Sequence, residues 1–310
     1  MAAENKALDI LIDDACDETK RPMWECGWTV MFPSHISHAT LKGYSFLNCM
    51  RLESVGEYAT ADRIKKEGGS FIGKPSIIWS CVPKIREEKD KETGELKKKC
   101  YGTTVKFTKV WKIEEGVSTK GIKALAPGKY PPPKNVSIDD AIPEIEAWIA
   151  EYCKRENIKM VEDVYENEAY FVKYGDSIHL KRRDYFKSLA DFYAVVFHEL
   201  AHSSGRKDKL NRFDHFNDEM GDLDFKTVKE EYAYEELVAE MTSAILRTHF
   251  GIQNVALDRS SVAYIQSWGK RLKADKKIFC KAANRAEEAA RFLLTGEKPA
   301  ILHKTIEEKA

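Results

Sequence analysis

Paired cysteines, long apolar runs and a net charge are all missing from this chain. Its seven cysteines are scattered over 310 residues, and no two of them form a Cys-x-x-Cys pair. An odd, dispersed set suits free thiols in a reducing compartment and argues against a disulfide framework. No run of 18 apolar residues occurs, which excludes a membrane-spanning helix on the hydropathy criterion. The first residues are charged and lack an apolar signal core, so a cytoplasmic location without a secretory signal is expected. Lysine plus arginine equals aspartate plus glutamate at 50 each, so global charge gives no pointer to nucleic acid. Internal repeats are absent, and nothing in the composition indicates an oligomeric state.

The most informative stretch that is present is His198-Glu199-Leu200-Ala201-His202. Residues four apart on a helix point the same way, so both imidazoles can bind one Zn²⁺ while Glu199 reaches a metal-bound water. This is the zincin metallopeptidase signature. Its surroundings support a helix. Ser188 with Asp191 forms a capping pair, and Leu189, Phe192, Val195, Val196 and Leu200 recur at helical spacing. Gly205 is placed to end the helix in the left-handed conformation. Outside such a context the two histidines would read as ordinary surface or core residues.

A hydrolytic zinc site needs a third protein ligand and an open position. Asp208 would complete a metzincin-like spacing, His-Glu-x-x-His-x-x-Gly-x-x-Asp. Glu236, four residues before Glu240 on the acidic stretch Glu230 to Glu240, is the favoured alternative, with the small residues Ala239 and Ser243 permitting close helix approach. Glu230, Glu231 and Glu235 read as carboxylates on a solvated face.

The segment Ala126-Pro127-Gly128-Lys129-Tyr130-Pro131-Pro132-Pro133-Lys134 must be extended, because consecutive prolines lack donors and favour polyproline geometry. It divides the chain into residues 1–125, a linker at 126–136 and residues 137–310. Expected before the linker are helices at Asn5 to Cys16 and Ala59 to Glu67, the latter ending at Gly68-Gly69. Strands are expected at Ser76 to Val82 and Thr103 to Trp111, with the charged stretch Arg86 to Lys99 between them as a long hairpin or mobile arm. After the linker come a helix over Ser137 to Asn157, a hairpin over Ala169 to Leu180, the two metal-site helices, and helices over Ser261 to Lys273 and Lys276 to Leu294, closed by Gly296. The fold class is α+β in two domains, the first mixed and the second mostly helical with a small hairpin or sheet.

These residues resemble the ArdC-type antirestriction family. Its members join an N-terminal single-stranded-DNA-binding domain to a C-terminal zincin-like domain. The resemblance is carried by Ala169-Tyr170-Phe171, by His198 to Gly205, by Tyr232 to Glu240, by Ser267-Trp268 and by Ala282 to Leu294. In the first half it rests on Lys42-Gly43-Tyr44, the helix from Ala59 to Gly69, Gly73-Lys74-Pro75 and the strand from Val105 to Trp111. Ser34 to Thr40 departs from the family pattern, and Gly73-Lys74-Pro75 is a shortened version of its turn. Glu236-x-x-Ala239-Glu240 is similar to the gluzincin helix, which implies Glu236 as metal ligand and Glu240 as the residue orienting a histidine. The resemblance also implies a bacterial protein carried by a plasmid or phage.

A zinc peptidase of this kind would use Glu199 as general base, with Zn²⁺ lowering the pKa of its water to about 7. Tyr232 or Tyr234 could assist at the oxyanion, and Mn²⁺ or Co²⁺ could fill the site in place of zinc. Single-stranded DNA would meet Lys42, Tyr44, Phe46, Arg51, Lys65, Lys66, Lys74, Trp79 and Lys84 through phosphate and stacking contacts. Taken without the resemblance, Tyr44, Phe46 and Trp79 would be core residues. The alternatives are a DNA-binding protein whose zinc is structural, or a metallopeptidase whose first domain recognises protein. The protein substrate is not identified by the sequence.

Overall fold

The computed structural model describes residues 35–45, 48–49, 52, 55–89, 96–127, 138–162, 169–172, 175–213, 228–252 and 276–298. The expected helices at Asn5 to Cys16 and Ser261 to Lys273, most of the proline segment, and the candidates Phe46 and Arg51 lie outside the described residues. The fold is mixed α/β in two domains, as anticipated from the pattern.

In the first domain, β1 (His35–Ser37), β2 (Gly56–Thr60), β4 (Ser76–Lys89) and β5 (Leu96–Lys112) form a sheet in the order β1-β2-β5-β4. The helix expected from Ala59 is shorter. Ala59 pairs with Trp111 in the sheet, and α1 spans Ala61–Lys66 after Thr60 caps its first turn. Tertiary pairing overrides the local helical preference here, and Gly68 at φ 78° ends the helix. The charged stretch is the continuation of one long hairpin: Arg86 faces Lys99, Glu87 faces Lys98 and Glu88 faces Lys97 in register. A register shift between Pro83 and Ile85 interrupts the ladder where proline cannot donate. A two-stranded ribbon, β3 (Ser70–Phe71) with β6 (Thr119–Lys120), closes the domain.

In the remainder of the chain, α2 (Ile138–Glu156) comes first among the described elements. Three short strands follow, β7 (Lys159–Glu162), β8 (Tyr170–Val172) and β9 (Ser177–Leu180), in the order β7-β9-β8. The expected hairpin is β8 with β9. The parallel partner β7 was not legible, because its Lys-Met-Val-Glu stretch carries only two apolar residues. Among the described residues three further long helices follow: α3 (Leu189–Ser203), α4 (Val228–Phe250) and α5 (Lys276–Thr295). Their apolar faces bury Phe192, Val196, Leu237, Met241, Phe279 and Ala286 in one core.

Trp79 from β4 belongs to that same core. Asn48 fixes its backbone from both sides, donating to the Trp79 carbonyl (2.7 Å) and accepting from its N–H (2.9 Å). The first domain is therefore seated on the second through a buried indole. No helix among the described residues is long and apolar enough to cross a membrane.

Candidate metal centre

The first turn of α3 is fixed by Ser188, whose Oγ accepts from the Asp191 N–H (3.1 Å) and donates to the Asp191 carboxylate (2.8 Å). From that start the chain reaches His198 and His202 one turn apart on the face that meets α4. The two helices approach closely because Ala239 and Ser243 are small, and the Ser243 hydroxyl donates to the Ala194 carbonyl (2.9 Å). Gly205 serves a different purpose from the expected left-handed cap. It is not among the glycines with positive φ. A Cβ there would lie 2.9 Å from Phe213 and 3.0 Å from the Arg212 guanidinium, so the missing side chain admits Arg212.

The Nε2 atoms of His198 and His202 are 3.1 Å apart. Glu236 reaches across from α4, 3.2 Å from His198 Nε2 and 3.3 Å from His202 Nε2. The donor atoms of these three residues lie within 4.8 Å of one another, and they are the one such group among the described residues. Ligands about 2.0–2.1 Å from a tetrahedral ion sit roughly 3.3 Å from each other. The His–His separation is close to that edge length, and Glu236 meets the two nitrogens at similar distances through different oxygens, Oε2 and Oε1, so this donor set fits a small divalent ion. Asp208, the alternative third ligand, is 60% exposed and paired with Arg206. It takes no part in the group.

The outer nitrogens are held by carboxylates. His198 Nδ1 is 3.1 Å from Glu240, and His202 Nδ1 is 3.5 Å from Glu235. Each imidazole is thereby turned to present Nε2 to the common point. Glu235 corrects the solvated-face reading. Its side chain is 5% exposed and pairs with Arg212 at 2.6 and 3.1 Å. Arg212 also donates to Ser204 Oγ (2.8 Å) and to the Ala201 carbonyl (2.7 Å), which ties the loop after α3 to the end of that helix. The sequence carried no signal for Arg212, which lies in a loop beyond the motif.

Burial alone would lower the basicity of both histidines, but neighbouring carboxylates outweigh it. Glu240 and Glu236 raise His198 well above its usual value, and Glu235 and Glu236 push His202 up to about 9. Burial would raise Glu236, yet the two imidazoles hold it well below the usual carboxylate range. Glu199 behaves oppositely. Its burial raises its pKa despite the adjacent histidines, and the Phe171 backbone amide donates to it. Of the two tyrosines, Tyr234 is buried in the core and Tyr232 is 61% exposed.

The described candidate DNA-contacting residues differ in exposure. Trp79 is core, and Tyr44 is half-buried with its hydroxyl donating to the Tyr58 carbonyl, burial pushing that phenol up to about 12. These two therefore follow the core reading. Lys42 and Tyr44 line a cleft of about 660 Å³ against Trp148, His249 and Arg291 of the second domain. Lys65, Lys66, Lys74 and Lys84 are exposed on the first domain.

Residues 147–285 match the family model for a zincin-like metallopeptidase. The DNA primase TraC of Escherichia coli is 34% identical over 142 residues, covering 46% of this chain and 12% of TraC. The protein y4eC of Sinorhizobium fredii is 28% identical over 127 residues, covering 41% of this chain and 38% of its own length. This chain thus spans well under half of either relative. Among solved structures, the metal-free antirestriction protein ArdC from plasmid R388 aligns with a TM-score of 0.64 and 26% identity, covering 94% of this chain and 97% of ArdC. Its Mn(II)-bound form aligns with a TM-score of 0.63 and 25% identity. The chain is therefore ArdC-like in fold along most of its length and carries a zincin-like metallopeptidase domain at residues 147–285.

Proposed function

We propose that this protein is a metal-dependent peptide hydrolase with a single-stranded-DNA-binding first domain, acting for a mobile element in antirestriction as ArdC does by its name. Residues 1–125 would bind DNA, 126–136 would connect, and 137–310 would carry the hydrolytic site. His198, His202 and Glu236 would hold the ion, for which Zn²⁺ is the leading choice and Mn²⁺ or Co²⁺ are substitutes; the Mn(II)-bound ArdC structure supports a divalent metal. The observation that carries the proposal is the convergence of these three side chains beside a buried Glu199.

When bound, such an ion supplies Lewis acidity, polarising a carbonyl and acidifying water. Glu199 is the general base. Its raised pKa brings the carboxylate closer to neutrality, where proton uptake from the attacking water and return to the leaving amine are both feasible. The C–O bond forms first as Glu199 takes the water's proton, and the C–N bond breaks after Glu199 has delivered that proton to the leaving nitrogen. A site that held metal only to staple two helices would have no use for that carboxylate.

Metal-loaded wild type and Glu199→Gln should be incubated with a peptide library and the products read by mass spectrometry. The variant should bind metal with wild-type stoichiometry and melt at the wild-type temperature while losing every wild-type cleavage. Identical product profiles from the two proteins would refute the hydrolase reading. Transfer of unmodified plasmid into a restricting host should rise when the protein is expressed.

A further inference from the structure

With Trp79 and Tyr44 built into the packing, the stacking surface of the first domain must lie elsewhere if that domain binds single strands. We propose that Phe71, backed by Trp111 and rimmed by Lys65, is the platform for one base of a single-stranded DNA. The proposal rests on the single-strand reading given above and names the residue that would carry it.

Phe71 is 39% exposed although it sits in a regular ribbon, β3. Its ring stacks on Trp111 at 4.4 Å between centroids and 28° between planes. Trp111 itself is buried, and its indole N–H donates to the Gly73 carbonyl (2.9 Å). The turn that carries Phe71 is clamped as well. A Cβ at Gly73 would come within 2.9 Å of the Val117 carbonyl, and the Ile72 N–H donates to Ser118. The outer ring is thus held by a fixed inner one and stays partly exposed, with the flexible Lys65 side chain over it, which an incoming base can displace.

Charge identifies the occupant. The Lys65 ammonium lies 5.9 Å from the Phe71 centroid. Lys66 follows at the end of α1, and Lys74 stands three residues beyond Phe71, both exposed. None of these ammonium groups has an ion-pair partner among the described residues. The nearby carboxylates are largely committed internally: Glu67 to His38 and Arg63, and Glu115 to the Gly121 N–H. Asp62, three and four residues before the two lysines, pairs with neither. An exposed aromatic ring with an ammonium 5.9 Å from its centroid, on a surface that also carries Lys66 and Lys74, fits a base and its flanking phosphates. Ile72 and Val117 are also exposed nearby, so an apolar protein surface is the rival occupant.

The test uses the full-length protein and a labelled oligo(dT) of roughly 16 nucleotides, at the upper end of single-fold site sizes, with binding read by anisotropy at several salt concentrations. Phe71→Ala and Phe71→Leu should each weaken binding by about 5- to 100-fold, while Phe71→Trp should retain it. None of the three Phe71 changes should alter the salt slope, whereas Lys65→Ala should reduce its magnitude by about 0.7. Phe71→Leu keeps the apolar bulk, so unchanged binding in that variant would assign the patch to apolar contact and overturn the platform while the single-strand reading stood. Wild type that fails to bind at low salt would overturn both.

Discussion

Replacing Glu235 by glutamine separates two jobs that one buried carboxylate performs. Glu235 faces His202 Nδ1 at 3.5 Å and Arg212 at 2.6 Å, so the change affects both the proposed metal ligand His202 and a guanidinium only 3% exposed. Removing the outer partner of a ligating histidine weakens metal binding by about 10- to 100-fold, or roughly 1.4–2.8 kcal/mol. The 3.5 Å contact is at the long limit of a hydrogen bond, so Glu235→Gln should fall near the 10-fold end. Glu240→Gln, removing a 3.1 Å contact to His198, should fall near the 100-fold end. Stability should show the reverse order. Losing one partner of a buried ion pair costs about 3–5 kcal/mol, and Glu235 neutralises Arg212, whose side chain is 3% exposed. Chelator-competition calorimetry gives the affinities, and melts of the metal-free variants give the stabilities. Glu231→Gln, one turn earlier on α4, is the control. Wild-type metal affinity in folded Glu235→Gln would refute the positioning argument, and so would a stability loss no greater than that of Glu240→Gln.

Three further outcomes are expected. Glu236→Gln should weaken metal binding more than about 100-fold, beyond the range for outer partners, while Asp208→Asn leaves it unchanged in the same calorimetry. His202 at about 9 is protonated in the metal-free protein at neutral pH, so metal uptake must release protons, and affinity should climb until pH reaches about 9. Its raised pKa stabilises the metal-free fold fully below about 6.5, and that stability is lost as pH rises through about 9. Metal-free melting temperatures should therefore fall over this window while the metal-induced gain grows; parallel curves would contradict the assignment. Trp79→Ala should cost about 3–5 kcal/mol and lower the melting temperature of the helical core as well as of the first domain, as read by calorimetry.

What was legible in the sequence was whatever depended on short spacing. The four-residue interval of His198 and His202, the cap at Ser188 and the small residues Ala239 and Ser243 each express a helical repeat, and a repeat survives without knowledge of the fold. Residues that act through long-range contact were not legible. Glu235 stands beside Glu230 and Glu231 in a run of carboxylates, and only Arg212, arriving from a loop 23 residues earlier, distinguishes it. Phe71 follows the same rule. Its exposure results from the pairing of Ser70–Phe71 with Thr119–Lys120, a contact no local pattern announces. Trp79 shows the reverse: its strand alone reads as core, the resemblance implied a DNA contact, and the structure buries the side chain.

The electrostatics of the site explain why its histidines and carboxylates are perturbed in opposite directions. Glu199, Glu235, Glu236 and Glu240 surround two imidazoles, with Arg212 as the buried cation paired to Glu235. With both imidazoles neutral, a low-dielectric pocket would hold an excess of negative charge that water cannot screen. Two protons on the histidines or one divalent cation between them supply the same compensation. These are alternatives, because the Nε2 lone pairs that would bind metal are the positions the protons occupy. The basic shift of His198 and His202 and the acidic shift of Glu236 are therefore one phenomenon seen from two sides. Glu199 stands apart, since it is raised rather than lowered. That difference separates the groups suited to holding a cation from the group suited to moving a proton.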